Sequence, residues 1–315
     1  MRGCPMSNVD LTKSKSDELV VVYPEKKTFK EKFFKSDFWK TTKRIWRNTS
    51  AKIGGFIILI LLVMALFPEA LSTHDPMEQQ IMERLQPPSS EHWFGTDEFG
   101  RDVYSRVVHG ARITLQVGLI SVGISLLIGG LLGLLAGYFR GKLDIALTAL
   151  LDVVLAFPSF IMALAIIAIL GPSLTNAMIA VGIRGIPIFA RVVRGATITI
   201  REQDFIMAAK ASGAMNTKII FSHIVPNITS SIIVLITLQF PSAVLMAAGL
   251  SFLGLGAQPP SPEWGAMLVS ARIYMTNAVW IVNFPGIAIL LTVLGFNLLG
   301  NVLRDVLDPR LKGTS

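Results

Sequence analysis

Only one cysteine, Cys4, occurs in the 315 residues. It has no partner for an internal disulfide and sits in a polar leader, where it reads as an unmodified tail residue or an acylation site. Charged side chains make up only 16% of the chain against 52% apolar residues, which excludes an ordinary soluble domain. No G-x-x-x-x-G-K-[ST] loop is present. The nearest stretch, Gly137–Lys142, lacks the spacing and the hydroxyl, so nothing in the chain can cradle nucleotide phosphates. There is no HExxH, no Ser/His/Asp grouping and no cysteine nucleophile, so no enzyme activity is expected. The apolar runs lack the roughly ten-residue alternating segments of a membrane barrel. No small-x-small cleavage site follows Phe67, and the basic leader is far longer than that of a signal peptide.

What remains is a set of long apolar runs. A helix crossing the hydrocarbon core needs about 20 mostly apolar residues. Six such spans are expected, near Ile53–Phe67, Ile113–Phe139, Leu155–Leu170, Leu174–Val193, Ile228–Leu250 and Val279–Leu303, the third starting as a helix around Leu143. The fold class is therefore an all-α integral membrane protein with six transmembrane helices. Its expected parts are a leader (1–50), a first span (51–71), an outer segment (72–112), a main transmembrane domain (113–304) and a tail (305–315).

Lysine and arginine set the orientation. Thirteen of them precede Ile53. The segment after span one has only Arg84, Arg101, Arg106 and Arg112, outnumbered by acids. Arg140 and Lys142 follow span two, the Gly171-Pro172-Ser173 turn has none, and Arg191, Arg194, Arg201, Lys210 and Lys218 follow span four. Only Arg272 lies between spans five and six, and Arg304, Arg310 and Lys312 end the chain. Basic and base-poor connections alternate, so both termini are expected in the cytoplasm. The net charge of +8 then reflects topology and attraction to the lipid membrane rather than to nucleic acid.

Several local patterns bear on function. Lys27–Thr49 mixes aromatics with lysines and is expected to lie as an amphipathic helix on the membrane surface. In the outer segment, Thr96 or Asp97 is expected to cap a short helix feeding into span two, with Asp102 and Arg106 paired on its face. His74, His92 and His109 match no ligand spacing, so they read as solvated or structural and no metal site is expected. Ser121, Ser125, Gly129, Gly133 and Gly137 form a small-xxx-small row, suited to packing within the bundle or against a second subunit. Asp152 is placed to pair with Arg191 or Arg194, unless each snorkels separately to water. Arg184 lies deeper, as a cation in a translocation path or a snorkelling side chain. Gly254, Gly256 and Trp264 belong to a breaker-rich outer loop, either the mouth of that path or a structural turn.

The densest signal is the polar insert between spans four and five, QDFIMAAKASGAMNTKIIFSHIVPN. It is expected to form two short helices. The first carries Ala208 and Ala209, with Phe205, Met207 and Met215 as apolar anchors, and Gly213 supplies the bend. The second runs through Thr217–His223 and stops before Pro226. Residues 203–226 resemble the EAA loop of ABC importer permeases: Glu-Ala-Ala, three residues, Gly, nine residues, then an apolar-x-Leu-Pro ending. Ala208, Ala209, Gly213 and Pro226 are in register, with His223-Ile224-Val225 before the proline; Met207 stands where the family usually has Glu. FGTDEFGRDVYSRVVHGARITL, DVVLAFP, ARVVRG, SFLGLGAQPPSPEWGAML and LLGNVLRDVLDPRLK resemble the peptide/nickel branch, and within it the "C" permease of oligopeptide and dipeptide importers. Asn301 stands where Asp is common. The resemblance covers about residues 45–312.

The resemblance implies a type I importer fold in a bacterial or archaeal cytoplasmic membrane. It also implies a homologous "B"-type permease, two cytoplasmic ATPase subunits and an extracytoplasmic binding protein as partners. ATP and magnesium would be bound by the ATPases, with no cofactor on this chain, and residues 203–226 would insert into a cleft on one ATPase. Peptides are the expected cargo and nickel or a metal chelate the alternative. An ion-driven secondary transporter would favour midplane acids and repeated halves, and no convincing repeat is seen.

Overall fold

The computed structural model describes residues 47–307, and among these the regular structure is helical, with a single isolated bridge between Thr96 and Asp102. The expected surface helix over Lys27–Thr49 and the tail beyond Leu307 lie almost wholly outside the described residues. We number the main helices α1 (Thr49–Leu66), α2 (Val103–Phe139), α3 (Gly141–Ala156), α4 (Ser159–Leu170), α5 (Leu174–Arg201), α6 (Asp204–Ala211), α7 (Asn216–Phe252), α8 (Trp264–Ala271) and α9 (Trp280–Leu307).

Five of these, α1, α2, α5, α7 and α9, are individually long and apolar enough to cross a membrane. The expected third span is not one straight helix. α3 and α4 meet at a 90° bend around Phe157-Pro158. Proline has no N–H to give and disfavours helical backbone in the residue before it, and Phe157 is accordingly extended (ψ 135°). Asp144 and Asp152 of α3 bond Arg194 and Arg191, so α3 lies beside the last third of α5. Ala163 and Ile167 of α4 share a core with Ala177, Ala180 and Val181, so α4 returns along the first part of α5. Counted as one span, the bent pair brings the candidate crossings to six.

The small-residue row of α2 is spent inside the chain. Ser121 Oγ donates to Met178 O at 3.1 Å and Ser125 Oγ to Gly182 O at 2.7 Å. A Cβ on Gly129 or Gly133 would strike the backbone of α5 at Ile186 or Ala190, and one on Gly137 would come within 2.8 Å of Arg194 O. Every-fourth-residue rows drift around a helix of about 3.6 residues per turn. The wider π turn at Ser125–Gly129 takes up that drift and keeps the row on α5. Contact with a second subunit through this row is thereby replaced by internal helix packing.

Two apolar cores fill the bundle. One joins α2, α4, α5 and α7 around Phe189, Phe240 and Leu250. The other joins α1, α2, α8 and α9 around Leu61, Val107, Trp264 and Ile289. α1 buries only Ala51, Gly54, Leu61 and Ala65, leaving Phe56, Leu59, Leu62 and Leu66 facing outward, as a lipid-facing helix should.

Candidate functional site

At one end of the bundle α5 gives way to a short elbow. Gln203 is extended, and α6 then runs for eight residues. It ends in a Schellman motif: Gly213 N–H donates to Lys210 O at 3.0 Å and Ala214 N–H to Ala209 O at 3.1 Å. Gly213 has φ +77°, with open space where a Cβ would go, so the glycine serves conformation rather than packing. The second helix departs from expectation. It does not stop before Pro226 but continues unbroken from Asn216 to Phe252. A π turn at Ile220–Ile224 lets Val225 N–H reach Ile220 O, and Asn227 Nδ2 donates to His223 O at 2.6 Å, so the proline is absorbed in place.

The elbow is held by side chains the sequence reading did not single out. Ile206, Ile219, Ile220, Ile224 and Ile228 are buried against Tyr138 of α2 and Val193 of α5. Tyr138 OH donates to Asn216 Oδ1 at 2.7 Å, and Lys210 Nζ lies 5.4 Å from the Tyr138 ring centroid. Arg140 bonds Glu202 at 2.8 Å. The anchors named from sequence point the other way. Phe205, Met207 and Ala208 are exposed, Ala209 half-buried, Met215 73% exposed, and Phe221 joins this apolar display at 69%. His223 is half-buried, its ring 6.4 Å from that of Phe205, and Pro226 is exposed.

Two charge pairs brace the approach to the elbow. Asp152 accepts from Arg191 at 2.8 Å with both side chains more than half exposed. Arg194, the alternative partner, instead makes a two-pronged bond to Asp144, at 2.5 and 2.7 Å. The signal for Asp144 was an acid directly beside the Arg140/Lys142 turn.

Further along the bundle, a cleft of about 440 Å³ lies between α4, α7 and α9, lined by Phe160, Leu238, Ser242, Met246, Val293 and Asn297. Arg184 borders it, donating to Ser242 Oγ at 3.2 Å, while its buried Nε finds no partner among the described residues. The other expected path residues do not join it. Trp264 is 1% exposed, its indole N–H donating to Val107 O at 3.0 Å. Gly256 is buried against Ser251, and Gly254 is a turn glycine at φ +76°. Breakers and an indole belong equally to a wall and to a lining; Trp264 and Gly256 are packed away, and Gly254 stays exposed.

At the end opposite the elbow, residues 72–102 fold over the start of α2. Its cap is Asp102, not Thr96 or Asp97: Oδ2 accepts from Ser105 N–H at 2.7 Å. Arg106 consequently turns from Asp102 toward Asp97 (3.5 Å) and Pro76 O (2.9 Å), and Arg101 bonds Asp97 at 2.7 Å, all three side chains being buried. The Trp280 indole N–H donates to Thr96 O at 3.1 Å and Phe94 stacks on Phe284, which ties the segment to α9. His92 is buried between Asp102 and Glu83. Burial disfavours its charged form, but the hydrogen bonds to both carboxylates outweigh this and hold its pKa above the ordinary histidine value. Glu263, capping α8 through Ala266 N–H, is pushed up by burial.

A profile described as "binding-protein-dependent transport system inner membrane component" matches residues 129–313, more than half of the chain. The chain belongs to that family. A second profile, "N-terminal TM domain of oligopeptide transport permease C", matches residues 36–88 and places this binding-protein-dependent permease in the C-type branch. It is 51% identical over 86% of its length to the dipeptide transport system permease protein DppC of Alkalihalophilus pseudofirmus, covering 89% of that protein. It is 45% identical over 88% of its length to the glutathione transport system permease protein GsiD of Pectobacterium atrosepticum, covering 91% of that protein. Among solved structures, the permease shares its fold with the MetNI methionine ABC transporter in inward-facing form. The TM-score is 0.54 at 21% identity, over 64% of this chain and 95% of that one. The permease is thus a multi-pass bacterial membrane protein of the ABC transport class.

Proposed function

We propose that this chain is one of two permease subunits of an ATP-driven importer of dipeptides or oligopeptides, moved by ATPases that grip it at the elbow. The observation that carries this is the elbow itself. Phe205, Met207, Met215 and Phe221 face outward from α6, the turn after it and the start of α7, whose other faces are pinned by buried isoleucines. A rigidly seated apolar display of this kind suits a protein groove. The distribution of lysine and arginine puts it in the cytoplasm, with both termini. No phosphate loop is present in the sequence, so ATP and magnesium belong to two partner ATPases, and a binding protein delivers cargo on the other side. A homologous B-type permease completes the pathway.

ATP closes the ATPase pair and draws the two elbows together, and the helices rock to open outward. The loaded binding protein then favours that state by binding it better. Arg184, bonded to Ser242 of the cleft that Asn297 also lines, offers a cation and neutral polar groups to a peptide's carboxylate and backbone. Peptide relatives favour this cargo over nickel or a metal chelate.

The test is uptake into proteoliposomes holding the complete transporter, with radiolabelled dipeptide, labelled pentapeptide and Ni²⁺ in parallel. ATP-dependent peptide uptake that vanishes when this subunit is omitted is the expected result. Uptake of nickel alone, or peptide uptake by the isolated chain on an ion gradient without ATP, would overturn it.

A further inference from the structure

The segment over the start of α2 gathers groups that its role as a cover does not use. His74 follows α1, His92 sits in the loop, and Asp102 caps α2. One ligand atom from each lies within 4.8 Å of the other two. All three are held from behind. His74 N–H donates to Ser105 Oγ at 3.0 Å, His92 N–H to Ser89 Oγ at 3.0 Å, and Asp102 is fixed by the cap bond to Ser105. His92 and Asp102 are buried and His74 is half-buried, which leaves one side open to solvent.

Proton counting shows what the arrangement asks for. The His92 ring has a carboxylate on each nitrogen, Glu83 Oε2 3.3 Å from Nε2 and Asp102 Oδ1 2.9 Å from Nδ1. A neutral imidazole has one N–H. If that hydrogen serves Glu83, the Nδ1 lone pair faces a carboxylate oxygen, and either a second proton or a metal ion between them relieves the repulsion. The His74 ring approaches the same oxygen, Nδ1 to Oδ1 3.9 Å, with its centroid 4.7 Å from that of His92. A second carboxylate behind a ligating histidine is the arrangement that orients the ring and raises its basicity in metal sites. Two imidazoles and one carboxylate suit a zinc-type ion, with water completing four ligands. Thr73 Oγ1, 3.0 Å from His74 Nδ1, is the contact such an ion would displace if that nitrogen is the ligand.

We infer that His74, His92 and Asp102 form a binding site for one divalent transition ion of the zinc class, backed by Glu83. The ion clips the segment after α1 and the loop at residue 92 to the cap of α2. The inference is independent of the cargo.

The test uses the full-length chain, purified in detergent through a tag without histidine, stripped with chelator and dialysed against buffered Zn²⁺. Metal is then counted by mass spectrometry. One zinc per chain is expected, with a rise in the thermal unfolding midpoint. His74→Gln, and Asp102→Asn, which keeps a cap oxygen, should each weaken binding at least about tenfold. His109→Gln and Cys4→Ser should leave it unchanged. A wild-type chain that binds no zinc overturns the inference, and the buried His92 is then an imidazolium serving both carboxylates. One zinc retained at full affinity in both His74→Gln and Asp102→Asn overturns it equally.

Discussion

The two ends of this permease use their side chains in opposite ways. At the elbow the charges and the large apolar groups Phe205, Met207, Met215 and Phe221 face outward, and isoleucines fix the helices from beneath. At the other end Asp97, Arg101, Arg106, His92 and Asp102 turn inward, bonding one another and the backbone under a cover that Trp280 and Phe284 tie down. One end displays its apolar groups and the other buries its charges. Buried ionic networks fix geometry more than they add stability, whereas an exposed apolar display is a liability unless something docks on it.

Mutations can break this contrast. The largest effect is expected from Asp97→Ala, which takes the shared carboxylate from two buried guanidiniums. Removing one partner of a buried pair costs about 3–5 kcal/mol. The thermal unfolding midpoint of the detergent-solubilised chain should fall steeply, and an unchanged midpoint would mean that the network at this end holds nothing. Next is Gly213→Val. A β-branched residue at φ +77° costs about 1–3 kcal/mol of local strain. The elbow should reshape while the bundle inserts normally, with ATP-driven peptide uptake down by about tenfold or more and ATP hydrolysis freed from transport. Normal uptake in this variant would separate the elbow from the motor. The smallest effect is expected from Asp152→Asn, because that ion pair is more than half exposed. Such pairs contribute under about 1 kcal/mol, so the midpoint should barely move, and a large shift would show that the elbow's approach is braced as firmly as the opposite end.

Much of this was legible in the sequence. Apolar runs long enough for a bilayer gave the spans, the alanine–glycine register gave the elbow and its bend, and small residues every fourth position gave a close helix contact without saying which helix fills it. Three features were hidden for physical reasons. Pro158 breaks its span while Pro226 does not, because a π turn upstream of Pro226 rearranges the hydrogen bonds, and propensity carries no record of such a turn. Asp144 was passed over because nothing in the sequence tells which of two acids about two turns apart on one helix faces Arg194. The histidine–carboxylate cluster was missed because spacing rules look within one segment, and these groups come from three.

The backbone-to-backbone contact between α2 and α5 constrains how the machine can work. At Gly129 and Gly133 the space a Cβ would need is taken by Ile186 O, Phe189 Cβ and the Ala190 backbone, so the two helices are held in close contact along this seam. Any rocking of the helices would therefore carry α2 and α5 together.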